Sequence, residues 1–291
     1  MEIFELKYFL AVAQVENVNR AAENIHVSAG SLSKAVSRLE AELGIPLFFK
    51  AGRGIRLTPE GKHLKKRAAE IVALEEDVKL ELQGADVGSV NIYISSEEIL
   101  QTFYGIQIAK KIDSLIPNAR VHFSMRPESI AIQQVLDGEA HLAIVTHQPP
   151  KNVTSKVIAK VDFKSCSSTN HPLLKSKAYN RKISIDEILK YPFVVPDTAI
   201  LGKIAKSDSI DGWRDDKFPR KIKYKVCGLK LMENLIRDGL ALAYLPEYFA
   251  EASELKTLNV SGCPYSCSQT VKVLTKDPTA LSWLNKLWDQ L

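Results

Sequence analysis

The sequence predicts a mixed fold, α+β through residue 88 and α/β beyond it. Three observations carry this reading. Apolar residues recur at helical spacing from Leu6 to Leu43, ahead of a short two-stranded pattern at residues 47–57. A heptad-like row then runs from Leu64 to Leu82. Past residue 89, short apolar runs alternate with helical patterns, as parallel β/α units require.

The elements follow in order. Leu6, Phe9, Leu10 and Ala13 share one face of a first helix. Asn19 reads as the N-cap of a short second helix carrying Ala21, Ala22 and Ile25. Ser28 precedes a third helix whose apolar stripe is Leu32, Val36, Leu39 and Leu43, ended by Gly44 and Pro46. Leu47-Phe48-Phe49, a basic turn at Lys50 to Gly54, and Ile55-Arg56-Leu57 read as a hairpin, or wing. Thr58-Pro59 is a strong helix start. From it a long helix is expected to about Gln83, with Leu64, Ala68, Ile71, Glu75, Val78 and Leu82 as its seam. Gly84 and Gly88 bracket a linker.

Strands are expected at Val90–Ile94, Val121–Ser124, Leu142–Val145, Phe193–Val195 and Leu240–Leu245. Helices are expected from about Glu97 to Leu115, and at Ile130–Leu136, Leu229–Asp238 and Ala280–Leu291.

Two short helices, a tight turn and a basic hairpin form a winged helix-turn-helix pattern. The outward positions of the third helix are Gly30, Ser31, Ser33, Lys34, Ser37 and Arg38, with Ser28 at its start. Small residues let a backbone approach the major groove, and Lys and Arg supply base-edge and phosphate contacts. Arg53 and Arg56 lie where a wing would reach the neighbouring groove or backbone. Double-stranded DNA is therefore an expected partner. An ordinary solvated helix face explains the third helix alone equally well. The wing and the heptad helix behind it favour the DNA reading.

The 291 residues include 45% hydrophobic and 25% charged, an ordinary globular balance. No apolar run approaches a membrane span. The stretch Met-Glu-Ile-Phe-Glu lacks a basic and an apolar leader region, so a cytoplasmic location is expected. The four cysteines do not make a disulfide framework. Cys263 and Cys267 are the one close pair, and inert thiols are the expectation for them.

The net charge of +5 is unevenly spread. Residues 1–65 carry only +2, but Arg20, Lys34, Arg38, Lys50, Arg53 and Arg56 concentrate at the helices and wing. Residues 151–230 hold eighteen basic and eight acidic residues, a net +10. That excess reads either as a solvated lysine face or as attraction for an anionic small molecule.

Several runs resemble LysR-type transcriptional regulators. They are Leu6-Lys7-Tyr8-Phe9-Leu10-Ala11-Val12-Ala13, Asn19-Arg20-Ala21-Ala22-Glu23, His26-Val27-Ser28, Leu32-Ser33, Arg38-Leu39-Glu40, Glu42-Leu43-Gly44, Leu47-Phe48, and Gly54 through Leu57-Thr58-Pro59-Glu60-Gly61. Weaker echoes continue at His171-Pro172-Leu173, Tyr191-Pro192-Phe193, Ile236 to Gly239 and Leu245-Pro246. The resemblance implies a DNA-binding domain at 1–58, a dimerising linker helix at 59–88 and an effector-binding domain at 89–291. It implies a periplasmic-binding-protein-like effector fold, with subdomain I at about 89–160 and 266–291 and subdomain II at about 161–265. A homodimer or homotetramer is implied, with RNA polymerase as a further partner. The chain departs from the family pattern at Ala29 and Gly30, where Gln and Pro are usual, at His141 in place of Asp, and at Ala241 in place of Gly. Without the Gln, base reading is expected to fall on Ser33, Lys34 and Ser37, or on DNA shape.

In such a fold, ligands sit at strand C-termini near helix N-termini. The candidate effector contacts are Ser95 and Ser96, Thr146 and His147, Thr198, and Cys227 with Gly228. Ser95 and Ser96 read equally as simple helix caps. An enzyme with Ser95 as nucleophile and His147 as base is a rival class. No nucleophile elbow, phosphate loop, His-Glu-x-x-His or dinucleotide fingerprint accompanies them, so no enzyme activity, cofactor or metal is expected. A solute-binding transport protein would suit residues 89–291 alone, but the winged reader argues against it.

Overall fold

The computed structural model describes residues 1–52, 54–83, 90–175, 182–198, 200–201, 209–263 and 266–291. Three helices open the chain: α1 (Ile3–Val15), α2 (Val18–Asn24) and α3 (Ala29–Leu43). The cap of α2 is Asn17, not Asn19. Asn17 is extended and its Oδ1 accepts from the Arg20 amide at 3.0 Å, whereas Asn19 already lies within the helix. Ser28 caps α3 as expected, accepting from the Ser31 amide at 3.0 Å. Gly44 ends α3 in the left-handed region. Strands β1 (Phe48–Ala51) and β2 (Gly54–Leu57) form the antiparallel wing.

Leu6, Phe9, Ala13, Leu39, Leu47, Leu57 and Ala68 make one core of this head, and Val12, Ala21, Ala22, Leu32 and Val36 a second. Ala68 belongs to α4 (Pro59–Gln83), so the long helix is anchored in the head at its start. Farther along, Ile71, Val78 and Leu82 of the expected seam form an exposed apolar row with Leu74, Leu82 being 82% exposed, while Leu80, off that seam, turns inward.

The opposite side of α4 is tied to the C-terminal half. The α12 helix (Ser282–Gln290) starts at Leu281, which cannot cap it. Asp77 of α4 does so instead, accepting from the Ser282 amide at 2.8 Å and its hydroxyl at 2.7 Å. Glu76 accepts from the Asn91 amide at 3.1 Å, and Lys276 pairs with Glu70 at 2.5 Å.

Beyond the linker, β3 (Asn91–Ser96) leads into α5 (Glu98–Leu100), a π-helical turn at Gln101–Gly105, and α6 (Ile106–Leu115). The expected single helix is thus interrupted by one wide turn. Next come β4 (Arg120–Met125), α7 (Glu128–Leu136), β5 (Leu142–Val145) and the 14-residue β6 (Thr154–Ser167). Short elements follow: α8 (Pro172–Lys175), β7 (Ile183–Ser184) and α9 (Ile185–Ile188). Then come β8 (Pro192–Pro196), β9 (Lys221–Val226), α10 (Leu229–Arg237), β10 (Ala243–Pro246) and α11 (Glu247–Ala252). The chain continues through β11 (Lys256–Thr257), β12 (Val260–Ser261) and β13 (Ser268–Thr275) to α12. The strand expected at Leu240–Leu245 is therefore shorter, because Gly239 makes a left-handed turn first.

The main sheet runs β10-β6-β13-β5-β3-β4. β3 pairs in parallel with β4 and β5, as the alternation predicts. β6 is the long shared strand. Its first part, Thr154–Asp162, pairs with β13, and Phe163–Cys166 pairs with β10. β8 and β9 form a parallel pair, joined to the β10 approach through a Phe193–Leu242 bridge. Among the described residues no helix is long and apolar enough to cross a membrane.

His141 takes a position packed against rings. Its Nδ1 accepts from the Tyr93 amide at 3.0 Å, beside Tyr93 and edge-on to Trp283. Burial pushes its pKa down to about 4, and burial also lowers that of His171, whose Nδ1 accepts from the Leu173 amide. Protonation would convert each acceptor nitrogen into a donor. Both folded pKa values lie below the unfolded value, so the unfolded chain binds more protons as pH falls. Stability is therefore full above about pH 6.5 and declines toward pH 4, by about 1.4 kcal/mol per pH unit for each proton taken up. Urea midpoints measured across this range check it, and His141→Gln, whose carbonyl can still accept, should flatten the decline.

Candidate DNA interface and effector cleft

The third helix presents Gly30, Ser31, Ser33, Lys34, Ser37 and Arg38 to solvent, opposite buried Leu32, Ala35, Val36 and Leu39. The physical origin is the helical period: the apolar stripe faces the head core and the small polar residues face out. These residues differ in availability. The Ser28 hydroxyl is engaged as a cap and lies 2.8 Å from the Ser31 hydroxyl. Arg38 stays exposed but pairs at 3.1 Å with buried Glu5 of α1, an attachment the sequence did not announce. In the wing, Arg56 pairs with Glu16 at 2.5 Å. Arg53 lies outside the described residues.

A polar groove of about 420 Å³ separates the wing from the α1–α2 turn, with Asn17, Arg20, Gly54 and Arg56 among its lining residues. Arg20, on the first turn of α2, is thus brought beside the wing. Exposed guanidinium groups and a helix N-terminus together suit phosphate.

The candidate effector contacts fall into two groups. Ser95, Ser96, Thr146 and His147 lie at the C-terminal ends of β3 and β5, where Ser96 is in register with Ile144. Thr198 and Cys227 follow the ends of β8 and β9, where Pro196 is in register with Val226. Both Thr198 and Cys227 are exposed, and Gly228 starts α10.

Alternation along β3 turns Ser95 toward α7, where its buried hydroxyl donates to Gln134 Oε1 at 2.8 Å. Ser96 points the other way, is fully buried, and its hydroxyl has no hydrogen-bond partner.

Thr146 and His147 are held by a residue that the sequence reading missed. Glu128, on the first turn of α7, is buried and accepts from the Thr146 amide at 2.9 Å and hydroxyl at 2.5 Å. It also accepts from the His147 amide at 2.9 Å and pairs with His147 Nδ1. The Glu128 amide in turn donates to Glu97 Oε1 at 3.4 Å. The sequence pattern starts this helix only at Ile130, two residues late, and nothing local shows what the Glu128 carboxylate reaches 18 residues later.

Cys267 is buried and its thiol is pushed up to about 11, while burial raises Cys166 to about 12. Neither is a ready nucleophile.

A winged head with a polar reading helix, joined by a long helix to an α/β half, defines a DNA-binding regulator. The family comparison makes this specific. Residues 3–62 match the bacterial regulatory helix-turn-helix protein, lysR family, and residues 96–291 match the LysR substrate binding domain. The chain belongs to the LysR family of transcriptional regulators.

It is 27% identical over 270 residues to the transcriptional dual regulator GltC of Bacillus subtilis (strain 168), covering 89% of this chain and 86% of GltC. It is 29% identical over 187 residues to the HTH-type transcriptional regulator BudR of Raoultella terrigena, where the match covers 64% of this chain but 57% of BudR. Among solved structures, full-length CbnR complexed with its target DNA shares the fold, with a TM-score of 0.59 at 18% identity over 100% of this chain and 99% of that one.

Proposed function

We propose that residues 1–58 read an imperfect DNA palindrome as a dimer, that residues 59–88 supply the dimerising helix, and that a small molecule bound within residues 89–291 modulates the outcome. Subdomain I would comprise about 89–160 and 266–291, and subdomain II about 161–265. The pairing of β6 with β13 along one half and with β10 along the other supports this division. A homodimer or homotetramer in the cytoplasm, with RNA polymerase as a further partner, completes the reading.

The observation that carries it is the outer face of α3. Gly30, Ser33 and Ser37 leave room for close approach, and Lys34 stands exposed among them. The exposed apolar row Ile71, Leu74, Val78 and Leu82 supports the dimer, because a partner helix would cover it.

A mobility shift with the DNA upstream of its own gene tests the reading. Salt-sensitive binding is expected, and Lys34→Ala should weaken it by about 1–3 kcal/mol with helicity unchanged. Absence of salt-dependent binding to that DNA would refute it.

A further inference from the structure

We propose that Glu16 is a positioning residue of the wing: it fixes the direction of Arg56 and so sets how well the head tells its own DNA site from other DNA. The inference deepens the DNA reading above and rests on it.

Glu16 ends α1. Its amide donates to the Val12 carbonyl at 2.8 Å, and its backbone stands in the left-handed region, at φ 50° and ψ 33°. That region favours glycine, because a β-carbon crowds the neighbouring carbonyl there. A glutamate at this place costs conformational energy, which its contacts have to offset.

Those contacts hold three successive residues of β2. The Ile55 amide donates to the Glu16 carbonyl at 3.4 Å, and the Leu57 amide donates to Oε1 at 3.3 Å. Between them, the Arg56 guanidinium donates to Oε2 at 2.5 Å. Strand β2 pairs with β1 along one edge. Ile55 and Leu57, two residues apart, turn their amides to the other edge, where Glu16 meets them.

Arg56 stays 65% exposed although paired, and Glu16 is 27% exposed. An ion pair this open adds little stability. Its consequence is direction. Arg56 and Arg20 line the same groove between the wing and the α1–α2 turn. Asn17, next to Glu16, accepts from the Arg20 amide at 3.0 Å. The Glu16-Asn17 corner therefore fixes the backbone of one arginine and the side chain of the other. Phosphate contacts set the register of a reader on its duplex. A carboxylate beside them repels phosphate, so Glu16 works against affinity. Holding Arg56 in one direction disfavours DNA whose backbone does not meet it, which is discrimination.

Fluorescence anisotropy with the full chain tests this on two labelled duplexes of equal length, its own upstream DNA and an unrelated sequence. Glu16→Gly removes the carboxylate and relaxes the backbone. The ratio of the two affinities is expected to fall at least about fivefold. The salt slope on unrelated DNA should steepen by about one unit, because the freed Arg56 displaces one more counterion. The melting midpoint should stay within about 2 °C of wild type. In an Arg56→Ala background, Glu16→Gly should change the ratio no further. An unchanged ratio in the single variant would overturn the proposal and leave the DNA reading standing. So would an equal fall in the Arg56→Ala background, or a fall seen only together with a lowered melting midpoint. Absence of salt-sensitive binding by the wild type would overturn both.

Discussion

Replacing Arg220 with alanine is expected to destabilise the C-terminal half by about 3–5 kcal/mol, and to lower its melting temperature by roughly 10 °C. The Arg220 side chain is 2% exposed. Its guanidinium bonds to Asp211 at 2.5 and 3.1 Å and to Asp215 at 2.9 and 2.7 Å. It also lies over the rings of Trp213, at 5.1 Å, and Phe193, at 5.7 Å. This arrangement fastens the segment around residues 211–220 onto β8. Truncation would leave the buried Asp211 carboxylate without its countercharge, and that orphaned charge is the larger part of the cost. Arg220→Lys should recover only part of the loss, because an ammonium cannot serve two carboxylates and two rings with one planar fork. Thermal melts of the three proteins check this, and an Arg220→Ala melt within about 2 °C of wild type, a loss of no more than about 1 kcal/mol for a domain this size, would contradict it.

Gly61→Ala is expected to disable the DNA-binding head. Gly61 lies where the first turn of α4 meets the wing, and a β-carbon there would stand 2.1 Å from the Leu47 carbonyl oxygen and 2.9 Å from Leu57 Cδ2. The obstacle is backbone, so no side-chain rotation relieves it. Thr58 locks the same corner, donating to the Pro46 carbonyl at 2.9 Å and accepting from the Gly61 amide at 2.9 Å. Opening this contact displaces α4 from the core that it shares with Leu6, Phe9 and Leu39. A cost of about 3 kcal/mol is expected for such overpacking. Limited proteolysis should cut the head of the variant faster than wild type, with DNA binding lost in parallel, while the melting of residues 90–291 stays near that of wild type. Equal protection of both heads would contradict the packing argument.

Local chemistry explains why the head was legible in the sequence. Ser28, Gly44 and Thr58-Pro59 mark helix ends through interactions within three or four residues, and the structure keeps all three positions. The pattern places the α2 cap at Asn19, whereas the extended backbone and the bond to the Arg20 amide put it at Asn17. The exposed face of α3 followed from its stripe. The Glu5 that holds Arg38 lies 33 positions earlier on another helix, beyond any periodicity argument.

The cleft was less legible for the same reason. Ser95 and Ser96 look equivalent in sequence, but the pleat sends one to Gln134 and leaves the other without a partner. Glu128 reaches Thr146 and His147 through contacts that only the sheet order creates. Charge alone left two readings open: the +10 of residues 151–230 reads as a solvated lysine face or as attraction for an anion, and the lysines of β9 stand in solvent.

The claim that α3 reads DNA is tested most directly by the salt dependence of binding. Fluorescence anisotropy with a labelled upstream fragment, repeated across ionic strengths, gives the slope of log affinity against log salt for the wild type and Lys34→Ala. A steep negative slope is predicted for the wild type, smaller in magnitude by about one unit for the variant, because one cation no longer displaces counterions. A slope near zero, or one that Lys34→Ala leaves unchanged, would contradict the account.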